Sequence, residues 1–127
     1  MRVLLDTHVL LWWLAADPLL PARAETVIAD PDNDVIVSAA TAWEIAIKKA
    51  AGRLEAPDDL AETLAANDFQ TLSIDVPHAV AAGALPAHHS DPFDRMLIAQ
   101  ARVEGLTLVS VDRRFSAYDV ELLPLAE

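Results

Sequence analysis

The sequence predicts a single α/β domain with a central parallel sheet flanked by helices on both faces. Short apolar runs, such as residues 3–5 and 35–37, alternate with longer segments of helical composition. A strand that is apolar at every position is typical of a sheet covered on both faces. With 127 residues, the chain fits one hydrophobic core, so we treat residues 1–127 as one domain. Strands are predicted at residues 3–5, 35–37, 71–74 and 106–109, with a last short one near 121–123.

The first three helices are marked by the residues at their ends. Asp17 and Pro18 stop the first helix, and Pro21 opens the second. Ser38 is a suitable cap for the third helix, and Gly52 ends it. These boundaries predict helices over residues 9–14, 22–29 and 39–51.

The later helices are bounded by proline and glycine. Pro77 and Pro92 each open a helix, and Gly105 ends the last one. These signals predict helices over residues 77–84 and 93–104, and composition predicts another over 60–66. Because ligands of parallel sheets bind beyond the carboxyl ends of the strands, functional residues are expected at that edge.

Composition excludes several classes of protein. The chain has no cysteine, which excludes a disulfide framework, a thiolate metal site and a thiol nucleophile. Its net charge of -11 argues against general affinity for nucleic acid, which depends on basic residues. The 54% hydrophobic content predicts that part of the apolar surface is covered by a partner.

The first sixteen residues superficially resemble a secretion signal, but Asp6 and His8 interrupt the apolar stretch. The remaining run, residues 9–16, is too short to span a bilayer. We therefore expect a mature cytoplasmic protein with no membrane association.

Four acidic residues each have an ordinary structural explanation. Asp6 can cap the helix after the first strand, and Asp94 can meet free amides in the first turn of its helix. Asp112 can close a turn. Glu44 can complete a capping box with Thr41, although a helix that begins earlier leaves Glu44 inside it.

These separate explanations leave the coincidence of the four acids unexplained. Each acid follows a predicted strand or lies in an early turn of a helix, so a parallel sheet can bring all four to one edge. Like charges held together are costly unless a cation neutralises them, and oxygen ligands suit Mg²⁺ or Mn²⁺. A metal site is the economical interpretation.

Four segments of the chain resemble, in order, the acidic motifs of the PIN domain family. They are VLLDTHVLLW (residues 3–12), TAWEIAIK (41–48), SDPFDRMLIAQA (90–101) and TLVSVDRRF (107–115). The similarity runs through nearly the whole chain and is greatest to the VapC toxins of type II toxin-antitoxin systems. The first motif alone is unspecific, whereas DPFDRMLIAQA followed by a strand and SVD is specific.

The resemblance implies that Asp6, Glu44, Asp94 and Asp112 form the catalytic acidic set. It makes Asp6 and Asp94 the direct ligands of Mg²⁺, with Mn²⁺ as a plausible substitute. Glu44 and Asp112 are expected to act through water or a second metal ion.

Several neighbouring residues are expected to support this set. Ser110 matches a small hydroxyl residue near the last acid and is expected to orient that carboxylate, Asp112. Arg113 and Arg114 are expected to contact RNA phosphates or an acidic partner. Arg95 is predicted instead to form an ion pair with Asp91, one helical turn back.

The histidines and Asp91 are left outside the predicted ligand set. Asp91 is better explained as a helix cap. His8 stands where many family members have Asn or Ser. His78, His88 and His89 lack the spacing of helical metal sites, and the last two are predicted to be solvated in a loop.

The resemblance implies a metal-dependent endoribonuclease in which metal-activated water hydrolyses the RNA phosphodiester, leaving 5′-phosphate and 3′-hydroxyl ends. It further implies a cytoplasmic toxin, in a homodimer or a larger assembly, that a cognate antitoxin silences.

Two other functions are kept open. One is a catalytically silent PIN-like module that binds a partner through the apolar first helix, which contains Trp12 and Trp13. The other is a phosphoacceptor or phosphoryl-transfer α/β domain. That function needs a lysine after a late strand, whereas the only lysines are Lys48 and Lys49.

Overall fold

The computed structural model describes residues 1–125 and has an α/β architecture. Its elements alternate along the chain much as the sequence predicts. The strands are β1 (Arg2–Leu5), β2 (Asp34–Ser38), β3 (Gln70–Leu72) and β4 (Thr107–Val109). The helices are α1 (Thr7–Leu14), α2 (Ala22–Ala29), α3 (Ala39–Ala50), α4 (Leu60–Ala66), α5 (Val76–Ala84) and α6 (Pro92–Glu104), followed by a 3₁₀ helix at Arg113–Ala117.

The four strands form one parallel sheet in the order β3-β2-β1-β4. In the register of the sheet, Leu4 of β1 lies opposite Ile36 of β2 and Leu108 of β4. The chain builds outward from β1 through β2 to β3 and then returns to the other side of β1. The direction of winding therefore changes between β1 and β4, the point at which open α/β sheets bind their ligands.

The two faces of the sheet bury two separate hydrophobic clusters. Val3 and Leu5 point to one face, where they pack with residues of α1, α2 and α4. Leu4 points to the other face, where it packs with Leu97 and Ile98 of α6. The side chains of Val3, Leu4 and Leu5 are fully buried, which explains why this part of β1 is apolar at every position, whereas Arg2 at its start is exposed.

The predicted helix caps are confirmed. The Asp6 carboxylate accepts from the Val9 amide at 2.8 Å, and the Ser38 hydroxyl accepts from the Ala40 amide at 3.0 Å. Asp91 accepts from two amides of the first turn of α6. Gly105 ends that helix with φ of 67°, in the left-handed region.

The predicted strand over residues 121–123 is wrong in extent, because the structure has only an isolated bridge there. Leu108 donates its amide to the Glu121 carbonyl and accepts from the Leu123 amide. The ladder cannot extend toward the start of β4, because the Leu106 amide is bound to Ala101 at the end of α6. β3 spans Gln70–Leu72, whereas residues 71–74 were predicted, so it begins one residue and ends two residues earlier.

Within residues 1–125, none of the helices is long and apolar enough to cross a membrane.

Candidate active site

Asp6 lies at the carboxyl end of β1, beside the end of β4. Its amide extends the sheet ladder by donating to the Val109 carbonyl at 3.1 Å. Its carboxylate, in a residue that is only 4% exposed, accepts from the Val9 amide and from the Ser110 hydroxyl. Burial raises the pKa of Asp6 to about 6, and repulsion from Asp94 adds to the increase.

Glu44 reaches the same edge from α3 and is also buried, at 4% exposure. One carboxylate oxygen accepts from the Thr7 hydroxyl at 2.5 Å, and the other accepts from the Lys48 ammonium at 2.5 Å. The side chain is therefore fixed by a neighbour on α1 and a neighbour one turn along α3. Lys48 balances part of its negative charge.

Asp94 lies in the first turn of α6 and is partly buried. Its Oδ2 atom lies 2.7 Å from Nε2 of His89. Burial raises the pKa of Asp94, and repulsion from Asp91 and Glu44 contributes, while His89 opposes the increase. Asp91, and not Asp94, accepts the hydrogen bonds of the free amides in this turn, including that of Asp94 itself.

Asp112 caps the 3₁₀ helix and is neutralised by a neighbour. Its two oxygens accept from Nε of Arg114 at 3.1 Å each, and Oδ2 also accepts from a terminal nitrogen at 2.7 Å. This pairing lowers the pKa of Asp112.

Asp94 is the central member of the acidic group. Its charge acts on Asp6, and the charge of Glu44 acts on it. One oxygen each of Asp94 and Asp112 and a ring nitrogen of His89 lie within 4.8 Å of one another. The structure thus gathers the four predicted acids at one edge of the sheet. Their catalytic roles stay a prediction.

Comparison with known proteins identifies the family. The PIN domain family model matches residues 3–121. The chain belongs to the PIN domain family. It is also 33% identical over 119 residues to Ribonuclease VapC22 of Mycobacterium tuberculosis, a match that covers 91% of each protein. The resemblance to the PIN family and its VapC branch is therefore confirmed. Membership of this family argues against the alternative function of a phosphoacceptor domain.

Solved structures share the fold of this PIN domain at lower sequence identity. The DNA-bound VapBC of Salmonella typhimurium matches with a TM-score of 0.69 at 20% identity, covering 96% of both chains. A toxin-antitoxin complex from Klebsiella pneumoniae gives 0.67 at 19% identity, with 98% of both chains covered. FitAcB of Neisseria gonorrhoeae matches with a TM-score of 0.66 at 22% sequence identity, and the match covers 96% of both chains.

The PIN domain uses Ser110 differently from the prediction. Its hydroxyl donates to the carboxylate of Asp6 and accepts from the backbone amide of Asp112, so it does not contact the Asp112 side chain. The reason is geometric, because Ser110 follows β4 directly and β4 lies beside β1. Ser110 therefore contacts the carboxylate of the first acid, Asp6, and only the backbone of the last, Asp112.

The predicted ion pair between Arg95 and Asp91 is wrong. The Arg95 guanidinium donates to the carbonyls of Ala82, Leu85 and Pro86 at 2.9 Å each. These carbonyls lie at the end of α5 and in the loop that follows it, and Asp91 already accepts two amides of the first turn of α6.

His89 is the site residue that the sequence interpretation missed. It was expected to be solvated, but it is 6% exposed and its ring contacts Asp94. Its position in a loop gives no periodicity from which burial can be predicted. The only local signal is its place just before the DPFD motif. Thr7 was also missed as a partner of Glu44. Threonine at the start of a helix is usually explained as a helix cap, and the contact with Glu44 joins residues 37 positions apart.

A second group of titratable side chains lies at the other end of α6. Ligand atoms of Asp75, His78 and Glu104 lie within 4.8 Å of one another. Asp75 and His78 form the capping box of α5, and the ring of buried His78 bridges to Glu104 at 3.0 Å. These contacts satisfy both ring nitrogens, so the cluster serves to join α5 to α6.

Asp6 and Asp94 fit a divalent cation by the chemistry of their donors. Both are carboxylates with raised pKa values, Asp6 buried and Asp94 partly buried, and the charge of Asp94 acts on Asp6. Within the described residues 1–125, no lysine or arginine side chain hydrogen-bonds to either one. Hard oxygen donors of this kind suit Mg²⁺ and Mn²⁺, and a cation would remove the cost of holding the two charges together.

Proposed function

We propose that this PIN domain is a metal-dependent endoribonuclease and the toxin of a VapBC-type toxin-antitoxin pair, with RNA phosphodiesters as its substrate. The observation that carries this proposal is the buried carboxylate of Asp6 at the carboxyl end of β1, beside β4, whose charge is repelled by that of Asp94. The 33% identity to a protein named Ribonuclease VapC22 supports the same activity.

Asp6 and Asp94 would hold Mg²⁺, or Mn²⁺ in its place, while Glu44 and Asp112 would act through water or a second ion. When bound, the cation supplies Lewis-acid stabilisation of the phosphate and lowers the pKa of water. The donors that fix Asp6 in place are the Val9 amide and the Ser110 hydroxyl.

Other side chains of the domain would position these acids and the RNA. Thr7 and Lys48 hold the two oxygens of Glu44, which leaves that carboxylate little freedom to rotate. Arg113 is exposed and available to contact a phosphate, whereas the guanidinium of Arg114 is already engaged by Asp112. In a chain of net charge -11, such local contacts must offset general repulsion of RNA.

Hydrolysis would join the oxygen of a water molecule to phosphorus and break the bond from phosphorus to the 3′ oxygen. The 3′ oxygen would leave as a hydroxyl after taking up a proton. The products would carry 5′-phosphate and 3′-hydroxyl ends. A 2′,3′-cyclic phosphate would instead mean that the 2′ hydroxyl is the nucleophile, which contradicts this reaction.

We propose a cognate antitoxin as the protein partner, a homodimer or a larger assembly as the functional form, and the cytoplasm as the location. The solved complexes of the fold from Klebsiella pneumoniae and Salmonella typhimurium contain toxin-antitoxin or VapBC assemblies. Expression of the wild-type chain alone should arrest growth, and Asp6→Asn should relieve the arrest. Equal toxicity of the two proteins would contradict the proposed active site.

The activity is tested by incubating purified protein with structured and unstructured RNA and Mg²⁺ or Mn²⁺. Excess EDTA and Asp94→Asn should each abolish cleavage. Asp32→Asn, which makes the same chemical change at an exposed position, should leave cleavage unchanged. Metal-bound, folded protein that cleaves none of these RNAs would instead favour a silent partner-binding module.

A further inference from the structure

His89 lies in the loop between α5 and α6, yet its side chain is enclosed. The residue is 6% exposed, and its ring packs edge-on against Phe115 with 6.5 Å between ring centroids. Its Nε2 atom lies 2.7 Å from Oδ2 of Asp94, a hydrogen-bond distance. The ring therefore forms one wall of the acidic site.

The loop that carries His89 is fixed by contacts that do not involve the acids. The Tyr118 hydroxyl accepts from the His89 amide at 2.8 Å and donates to the Pro86 carbonyl at 2.9 Å. Arg95 binds the same Pro86 carbonyl and, from its other terminal nitrogen, the Leu85 carbonyl. Arg95 on α6 and Tyr118 after the 3₁₀ helix thus hold the His89 loop independently of the contact with Asp94.

The contact with Asp94 defines which atom carries the hydrogen. An ionised carboxylate can only accept hydrogen bonds, so the favourable contact requires hydrogen on Nε2. Oδ2 of Asp94 then accepts this hydrogen bond, which fixes the orientation of the carboxylate. Oδ1 is left as the oxygen of Asp94 without a side-chain donor among the described residues.

We propose that His89 is a positioning residue that donates its Nε2 hydrogen to Oδ2 of Asp94 and so holds the carboxylate with Oδ1 turned toward the cation. This inference rests on the proposed function, because it takes Asp6 and Asp94 as the cation ligands. It differs from a role for His89 as a ligand, since a ring nitrogen that binds metal must first lose its hydrogen.

The protonation of the ring distinguishes the two roles directly. Two-dimensional ¹H–¹⁵N NMR of the histidine ring nitrogens is recorded for the metal-free and the Mg²⁺-saturated protein. A positioning residue keeps hydrogen on Nε2 in both states. Loss of that hydrogen when Mg²⁺ binds would overturn the proposal and make His89 a ligand.

Two substitutions measure the importance of the donor. His89→Leu removes it, and calorimetric affinity for Mn²⁺ should fall roughly tenfold to a hundredfold, the usual effect of losing a partner that orients a ligand. His89→Gln keeps an amide donor and should recover most of that affinity. His88→Leu, at the exposed neighbouring residue, should bind Mn²⁺ like the wild type.

The outcomes separate this inference from the proposed function. His89→Leu with wild-type Mn²⁺ affinity, or His89→Gln as weak as His89→Leu in folded protein, would overturn the positioning role. Wild-type protein that binds neither ion would overturn both proposals. Cation binding and NMR as expected, without cleavage of any RNA, would support the role of His89 and contradict the nuclease.

Discussion

The surroundings of Asp6 disfavour its charged form in the metal-free protein. The pKa is raised from 3.8 to about 6, chiefly by burial, and the hydrogen bonds from Ser110 and Val9 only partly compensate. The folded state therefore binds the proton more tightly than the unfolded state does. The contribution of Asp6 to stability should fall by about 3 kcal/mol as the pH rises from about 4 to about 6.

Asp6→Asn should therefore stabilise the metal-free protein at pH 7, by about 2–3 kcal/mol, because asparagine resembles the neutral acid. The gain should vanish near pH 4, where Asp6 is protonated in the folded wild type. Urea unfolding in EDTA at both pH values measures the difference. Asp32→Asn is the exposed control, and an equal gain there would attribute the effect to net charge rather than to burial.

Ser110 orients Asp6, so its hydroxyl should matter for cleavage more than for folding. Ser110→Ala should lower the cleavage rate roughly tenfold to a hundredfold, as for other partners that orient metal ligands. Ser110→Thr keeps the hydroxyl and should retain most of the activity. Single-turnover rates at saturating Mg²⁺ measure this, and full activity of Ser110→Ala would show that Asp6 is held without the hydroxyl.

At the level of elements, α6 carries Asp94 at its start and ends at Gly105, whose φ is 67°. Gly105→Ala should destabilise the protein by about 1 kcal/mol, because a side chain disfavours this conformation. Gly83→Ala is the matched control inside α5, where the glycine has no positive φ and no heavy atom lies within 4 Å of an added Cβ. It should stabilise by about 0.5–1 kcal/mol. Chemical denaturation measures both, and the same sign for both would contradict the role of the left-handed turn.

The loop between α5 and α6 depends on Arg95, which binds carbonyls at the end of α5 and in the loop. Arg95→Met should cost about 2–3 kcal/mol, because partly buried carbonyls lose a charged donor. Arg113→Met, at an exposed arginine, should change stability by less than about 0.5 kcal/mol. Hydrogen exchange of the His89 amide should rise in the first variant only. Unchanged exchange would mean that Tyr118 alone holds the loop.

For the molecule as a whole, the sequence was sufficient for the features that depend on near neighbours. The uniformly apolar strand at residues 3–5 predicted a sheet covered on both faces, and the two clusters around Leu4 confirm it. The caps at Asp6, Ser38 and Asp91 were readable because a cap acts within three residues.

The features that the sequence did not predict depend on contacts between distant segments. Ser110 binds Asp6 because β4 lies beside β1, although 104 positions separate the two residues in the chain. His89 is buried because Tyr118 and Arg95 hold its loop against α6. The extent of the last strand likewise depended on which backbone groups of β4 were already bound.

We propose that the acidic residues at this edge of the sheet form one divalent-cation site. Thermal unfolding of the wild type and of Asp94→Asn, measured across a titration with Mg²⁺ at pH 7, tests it most directly. We expect Mg²⁺ to stabilise the wild type by about 2.7 kcal/mol at a hundred times the dissociation constant and to leave the stability of Asp94→Asn unchanged. Equal stabilisation of both proteins, or none in the wild type, would contradict it.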